Sequence, residues 1–211
     1  MSTHFLLSTF ITLLVTVDPV GTAQVFMSLT GSMTHQDRRF VAVRSMLLSF
    51  LILVFFALAG QRLFAIMGIG MPAFRIAGGL LLFWIAFQMV FAQTRRHKEE
   101  EAEKAARADE IRDIAVFPLA IPMTAGPGSI TAVILVASRA EGHILTLASL
   151  VVLVGIVILI CLALCLASER VSRLLGRTGN LVLSRLLGVL LTALAVEFVT
   201  DGIRASLAPH A

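Results

Sequence analysis

The chain has 211 residues, 58% of them hydrophobic and only 14% charged. Six membrane-spanning helices of about 20 apolar residues each would use roughly 120 such residues, and the composition supplies them. A soluble enzyme, a disordered chain and a disulfide scaffold are excluded, because a soluble fold of this composition would expose more apolar surface than a monomer tolerates.

Six apolar segments follow in chain order: Phe5 to Thr30, Phe40 to Phe64, Pro72 to Gln93, Ile114 to Ser138, Ile144 to Ala167 and Leu181 to Ile203. Each is long enough to cross a hydrocarbon core as helix, and the alternation of a membrane β-barrel is missing. The predicted class is an all-α polytopic membrane protein of six transmembrane helices, since helices satisfy their own backbone groups in lipid. The first segment has no Lys or Arg before it and breaks at Asp18-Pro19, so it reads as a retained span and not a cleaved signal.

Between the third and fourth segments, Arg95 to Asp113 holds six basic and seven acidic residues. Its Ala, Glu, Lys and Arg content favours helix. The side that holds the N-terminus carries Arg62, Arg75, Arg139 and Arg204, and the other side carries the remaining 13 basic residues. The positive-inside rule makes that second side cytoplasmic, with both termini periplasmic or extracellular. No Lys/Arg cluster of the nucleic-acid-reading kind occurs, so no nucleic-acid partner is expected.

The two halves match at an offset near 110. Asp18-Pro19-Val20-Gly21-Thr22 pairs with Gly126-Pro127-Gly128-Ser129, and Phe74-Arg75-Ile76-Ala77-Gly78 pairs with Ser184-Arg185-Leu186-Leu187-Gly188. The predicted organisation is a first three-helix repeat over 1–93, a charged cytoplasmic loop over 94–113 and a second three-helix repeat over 114–211. Three spans per half is odd, so the halves enter the membrane from opposite sides. That 3+3 inverted repeat, with broken first and fourth helices, is an architecture of secondary transporters.

Pro19 and Pro127 each interrupt a span. Each break would turn a half-helix N-terminus, with free N–H groups and partial positive charge, toward the membrane interior. Two such ends suit a carboxylate. The candidate substrate-binding residues are therefore Asp18, Pro19, Gly21, Thr22, Gln24, Thr124, Gly126, Pro127, Gly128 and Ser129. Mere kinking and close packing is the alternative. Asp18 is either a structural N-cap or an ionisable group binding an ammonium or a proton. Asp18 and Glu197 are the ion-coupling candidates; Asp201, at the end of its span, reads as solvated. Arg75 and Arg185 open their spans as snorkelling anchors or as gates.

Cys161 and Cys165, four apart, share a helix face as packing groups. Trp84 and the Phe stripe from Phe83 to Phe91 read as lipid-facing or packing groups. The His residues share no helix face with another ligand type, so no metal site and no cofactor are expected. An intramembrane enzyme lacks its second Asp, its base and its ligands, and the chain reads as non-enzymatic.

Asp18-Pro19-Val20-Gly21, followed by Val25-Phe26-Met27-Ser28-Leu29-Thr30, resembles the opening motif of the MarC family. The run Phe117-Pro118-Leu119-Ala120-Ile121-Pro122-Met123-Thr124-Ala125-Gly126-Pro127-Gly128-Ser129-Ile130 is similar to that family's second signature. The resemblance covers nearly the whole chain. It implies a multi-pass protein of a prokaryotic inner membrane that transports small neutral amino acids and is related to LysE-type amino-acid exporters. The family usually has Asn where Thr22 stands and Gln where Glu197 stands. Residues and resemblance together predict a carrier for a small zwitterionic amino acid of the glycine, alanine or serine type. Proton coupling, a lipid bilayer environment and compatibility with a homo-oligomer complete the expectation. An exporter or channel for another small metabolite or drug-like solute is the alternative.

Overall fold

The computed structural model describes residues 3–31, 33–91, 115–139 and 143–207. The charged loop predicted over 94–113 lies outside the described residues. Among the described residues the structure is all-helical. Five helices are long and apolar enough to cross a membrane: Phe5–Thr30 counted through its break, His35–Ile66, Met71–Val90, Ile144–Leu166 and Leu181–Leu207. The protein is thus an integral multi-pass membrane protein by length and composition.

Helix α1 (Thr3–Val17) stays helical despite its threonines because they bond back along the helix. Thr12 Oγ1 donates to Ser8 O at 2.8 Å and Thr16 Oγ1 to Thr12 O at 2.8 Å. It stops where Pro19 follows, since a residue before proline disfavours helical backbone. Helix α2 (Pro19–Thr30) restarts at once. Helix α3 (His35–Ile66) is capped by Thr34, whose Oγ1 accepts from Asp37 N at 3.3 Å and donates to Asp37 Oδ2 at 2.7 Å. Its far end closes through Gly68 at φ 70, with Ile69 N donating to Phe64 O at 2.9 Å and Gly68 N to Ala65 O at 3.1 Å. This is a Schellman turn, which needs the left-handed residue that glycine supplies without strain. Helix α4 (Met71–Val90) then starts with proline in its first turn.

The fourth predicted segment is broken before Pro127, as its sequence implied, and its first part is wound differently from an α-helix. It opens as α5 (Ala115–Thr124), wound as a π-helix, and continues as α6 (Pro127–Ser138) after a break. Pro118 and Pro122 bring no N–H, which weakens the tighter α ladder. The wider winding is visible where Ala125 N donates to Ala120 O at 2.9 Å, five residues back. With 12 residues, α6 is about 18 Å long, too short to cross a membrane alone. Helix α7 (Ile144–Leu166) matches its prediction. Helix α8 (Ser168–Leu207) is longer than predicted, because its polar first third contains no proline and simply continues the helix.

Packing places the broken elements in the middle. Helix α3 lies on α7, and α4 on α8. The short pieces fill the space between: α2 contacts α7 while α3 contacts α6; α1 contacts α7 while α3 contacts α5; α2 contacts α8 while α4 contacts α6; and α1 contacts α6 while α2 contacts α5. One apolar core joins α1, α2 and α3 to α5, α6 and α7 through Leu13, Phe26, Met46, Leu53, Leu119 and Leu150. A second centres on Leu82, Ala86 and Met89 of α4 and Leu191, Ala195 and Phe198 of α8. Outward faces stay apolar: Leu47, Leu51, Phe55 and Leu58 of α3, and Phe83, Trp84, Phe87 and Phe91 along α4, are all exposed. That spacing is one helix stripe turned to lipid. The α4–α8 contact is so close that a Cβ at Gly79 would sit 2.9 Å from Ala195 O, and one at Gly202 would sit 2.9 Å from Pro72 O.

Candidate functional site

The first break is one residue long. Asp18 adopts the left-handed conformation at φ 48 and ψ 66, and it alone among the described non-glycine residues has positive φ. Such backbone is costly for most side chains but tolerated by Asp. Its Oδ1 accepts from Gly21 N at 3.1 Å, the third residue of α2, as an N-cap does. A Cβ at position 21 would collide with that carboxylate and displace it from its capping position. Asp18 is 8% exposed and Thr22 0%. Thr22 Oγ1 donates to Val17 O at 3.3 Å, satisfying one of the last carbonyls of α1.

The second break follows the same order with different parts. Thr124 Oγ1 donates to Leu119 O at 2.9 Å, the same five-residue reach as Thr22. Gly126 precedes α6 in extended backbone and gives it no side-chain cap. Gly128 is buried and packs closely, since a Cβ there would lie 2.7 Å from Ile85 Cδ1. Ser129 and Thr131 are buried.

The two breaks touch. Ser129 Oγ, in the first turn of α6, donates to Thr16 O, in the last turn of α1, at 3.2 Å. Two helix N-termini, those of α2 and α6, and the C-terminus of α1 therefore converge in a buried place with hydroxyls and one carboxylate. The helix ends offer positive and negative partial charge side by side, which matches the two ends of a zwitterion. Oxygen donors and acceptors of this kind can hydrogen-bond a small polar solute.

Not every predicted site residue joins them. Pro19 is buried and Gln24 half-buried along α2, and Pro127 is exposed. As the first residue of α6, Pro127 sets the backbone at the start of that helix. Glu197 is elsewhere. Its side chain is 58% exposed and lies 3.6 Å from Arg139 Nη2, which also holds Asp201 Oδ2 at 3.0 Å. Arg139 stacks over Phe198 at 4.7 Å as well. Asp201 is thereby an ion-pair partner where a solvated end was expected. Arg75 donates to Ser138 Oγ at 3.3 Å beside this cluster, whereas Arg185 is exposed.

Sequence reasoning missed Arg139, Thr16 and Phe26. Glu197 and Asp201, four apart, already implied a shared face and a common cation, but the partner comes from 62 residues away. Phe26 and Cys165 line a cavity of about 350 Å³ at the opposite, arginine-rich end. One helical turn deeper, Cys161 lies beside both Cys165 and Thr22, and Thr22 N donates to Asp18 O at 2.9 Å. A continuous file of residues thus leads from that cavity to the first break. The cysteines are free and buried, as their shared helix face implied.

A family profile described as MarC family integral membrane protein matches residues 3–207. A UPF0056 membrane protein of Aquifex aeolicus is 37% identical over 200 residues, spanning 92% of this chain and 90% of its own. One from Archaeoglobus fulgidus is 36% identical over 200 residues, spanning 94% and 92%. The UPF0056 inner membrane protein MarC of Citrobacter koseri is 32% identical over 204 residues, spanning 92% and 91%. No solved structure matches the chain.

Proposed function

We propose that this chain, which belongs to the MarC family of integral membrane proteins, is a proton-coupled secondary transporter of small neutral amino acids, of the glycine, alanine or serine type. The observation that carries the reading is the contact between the breaks, where Ser129 Oγ reaches Thr16 O at 3.2 Å. Broken helices meeting inside a membrane bundle are costly unless the freed backbone groups line a site. The N–H groups at the start of α6 hold the substrate carboxylate. The last carbonyls of α1, with Asp18, hold its ammonium. Asp18 is the coupling group in this reading, and Glu197 works instead with Arg139 and Asp201 in a closure on the N-terminal side.

Six crossings in a 3+3 inverted repeat complete the proposal. Its support is the contact pattern: exchanging α1 with α5, α2 with α6, α3 with α7 and α4 with α8 maps most of the helix pairings onto one another. Rocking of one half against the other would then open the site alternately to each side. In this reading the membrane is the prokaryotic inner membrane, the arginine-rich side is cytoplasmic, and both termini face outward.

The test is transport by purified protein in liposomes. Uptake of labelled alanine, glycine or serine under a pH gradient, with saturable counterflow, is the expected result. Flux without counterflow would make the protein a channel, and absence of flux for every small neutral amino acid would remove the substrate class.

A further inference from the structure

The cavity at the arginine-rich end is lined by His35, Arg38, Arg39 and Arg170 around an apolar floor that includes Phe26 and Cys165. Its lining holds three guanidinium groups, and none of the described lining residues is acidic. Arg38 is held in place on two sides: Nη2 donates to Ser168 Oγ at 3.1 Å, and the guanidinium lies over the Phe26 ring at 5.9 Å. The carboxylate of Asp37 turns away to the Thr34 hydroxyl that caps α3. Helix α3 begins and α7 ends at this level, so the cavity opens at the boundary between the apolar spans and water.

From this we infer a binding site for a phosphate-bearing anion, separate from the transport site and independent of the transport reading. Several guanidiniums converging on one cavity exceed what a single carboxylate needs, and forked donors fit the oxygens of a phosphate. The apolar floor and the boundary level match a phospholipid headgroup with its glycerol end inward, as in basic pockets between membrane helices. A free inorganic phosphate has the same chemistry, and the test separates the two sources.

Arg44 supplies an internal control. It carries the same charge on the same helix, but it lies over the Phe40 ring at 5.8 Å and outside the cavity. Protein purified in neutral detergent is titrated with short-chain phosphatidylglycerol, short-chain phosphatidylcholine or inorganic phosphate, and its thermal midpoint is followed. Phosphatidylglycerol should raise the midpoint saturably and phosphatidylcholine should not. The double variant Arg39→Gln/Arg170→Gln should weaken that response by about tenfold or more in apparent affinity, while Arg44→Gln responds as wild type. A saturable shift with inorganic phosphate but none with phosphatidylglycerol would keep the site and assign it to the free ion. If the double variant has no cooperative transition, Arg170→Gln alone is read in the same way. Equal responses of wild type and the cavity variant to every anion, or an equal response to phosphatidylcholine, would overturn the proposal.

Discussion

The first break turns within one residue and carries its own carboxylate, whereas the second spreads over a π-wound approach and leaves the start of α6 without a side-chain cap. Both retain the same hydroxyl device, Thr22 to Val17 O and Thr124 to Leu119 O, each reaching five residues back. The shared part keeps a freed carbonyl satisfied inside an apolar bundle. The differing part divides the chemistry: the first break brings charge and the second brings helix N–H groups not covered by a side-chain cap. In the proposed reading, a zwitterion uses both.

Substitutions that make the breaks alike should therefore be the most damaging. Asp18→Asn keeps an oxygen for Gly21 N and removes only the charge, so the first break becomes as neutral as the second. We expect loss of pH-driven uptake with the fold retained, since Asn caps a helix about as well as Asp. Proteoliposome uptake against the thermal midpoint separates the two effects. Unchanged pH dependence would exclude Asp18 as the coupling group.

Away from both breaks, Gly79→Ala or Gly202→Ala should affect stability first. The new methyl meets backbone of the facing helix, at Ala195 O or Pro72 O, each at 2.9 Å. Overpacking of this kind costs about 1–3 kcal/mol, read as a lowered midpoint, and substrate affinity in the surviving folded protein should stay near wild type. Ser129→Ala removes the direct link between the breaks. A lost neutral hydrogen bond is worth about 1 kcal/mol, so substrate affinity should fall by roughly fivefold in binding titrations. The smallest effect is expected for Pro127→Ala. The break is already set by Gly126 and the π-wound α5, so affinity should change by less than about twofold. A tenfold loss there would show that proline itself, and not the backbone around it, keeps the second break open.

Much of this was legible in the sequence, for identifiable reasons. Asp18-Pro19 announces an N-cap and a helix start in two residues, because both preferences are local. Gly126-Pro127 announces the second start in the same way. The π winding of α5 was not legible. Pro118 and Pro122 say that two N–H groups are missing, but the alternative winding depends on what the neighbouring helices leave room for. Hydropathy also counts 114–138 as a span, since it measures apolar content and not helical continuity. The pairing of Glu197 with Arg139 is a tertiary fact: it depends on where a helix from another part of the chain lies. The length of α8 escapes hydropathy for the opposite reason, because its polar first third is not apolar although no proline breaks it.

The central claim is that the two breaks together form one site for a small zwitterion. Counterflow in liposomes tests it most directly, using protein loaded inside with unlabelled alanine and labelled alanine outside, at equal pH on both sides. Saturable accumulation of label is expected in wild-type vesicles, with Ser129→Ala shifting the half-saturation upward. Vesicles that accumulate no label with alanine, glycine or serine would contradict it.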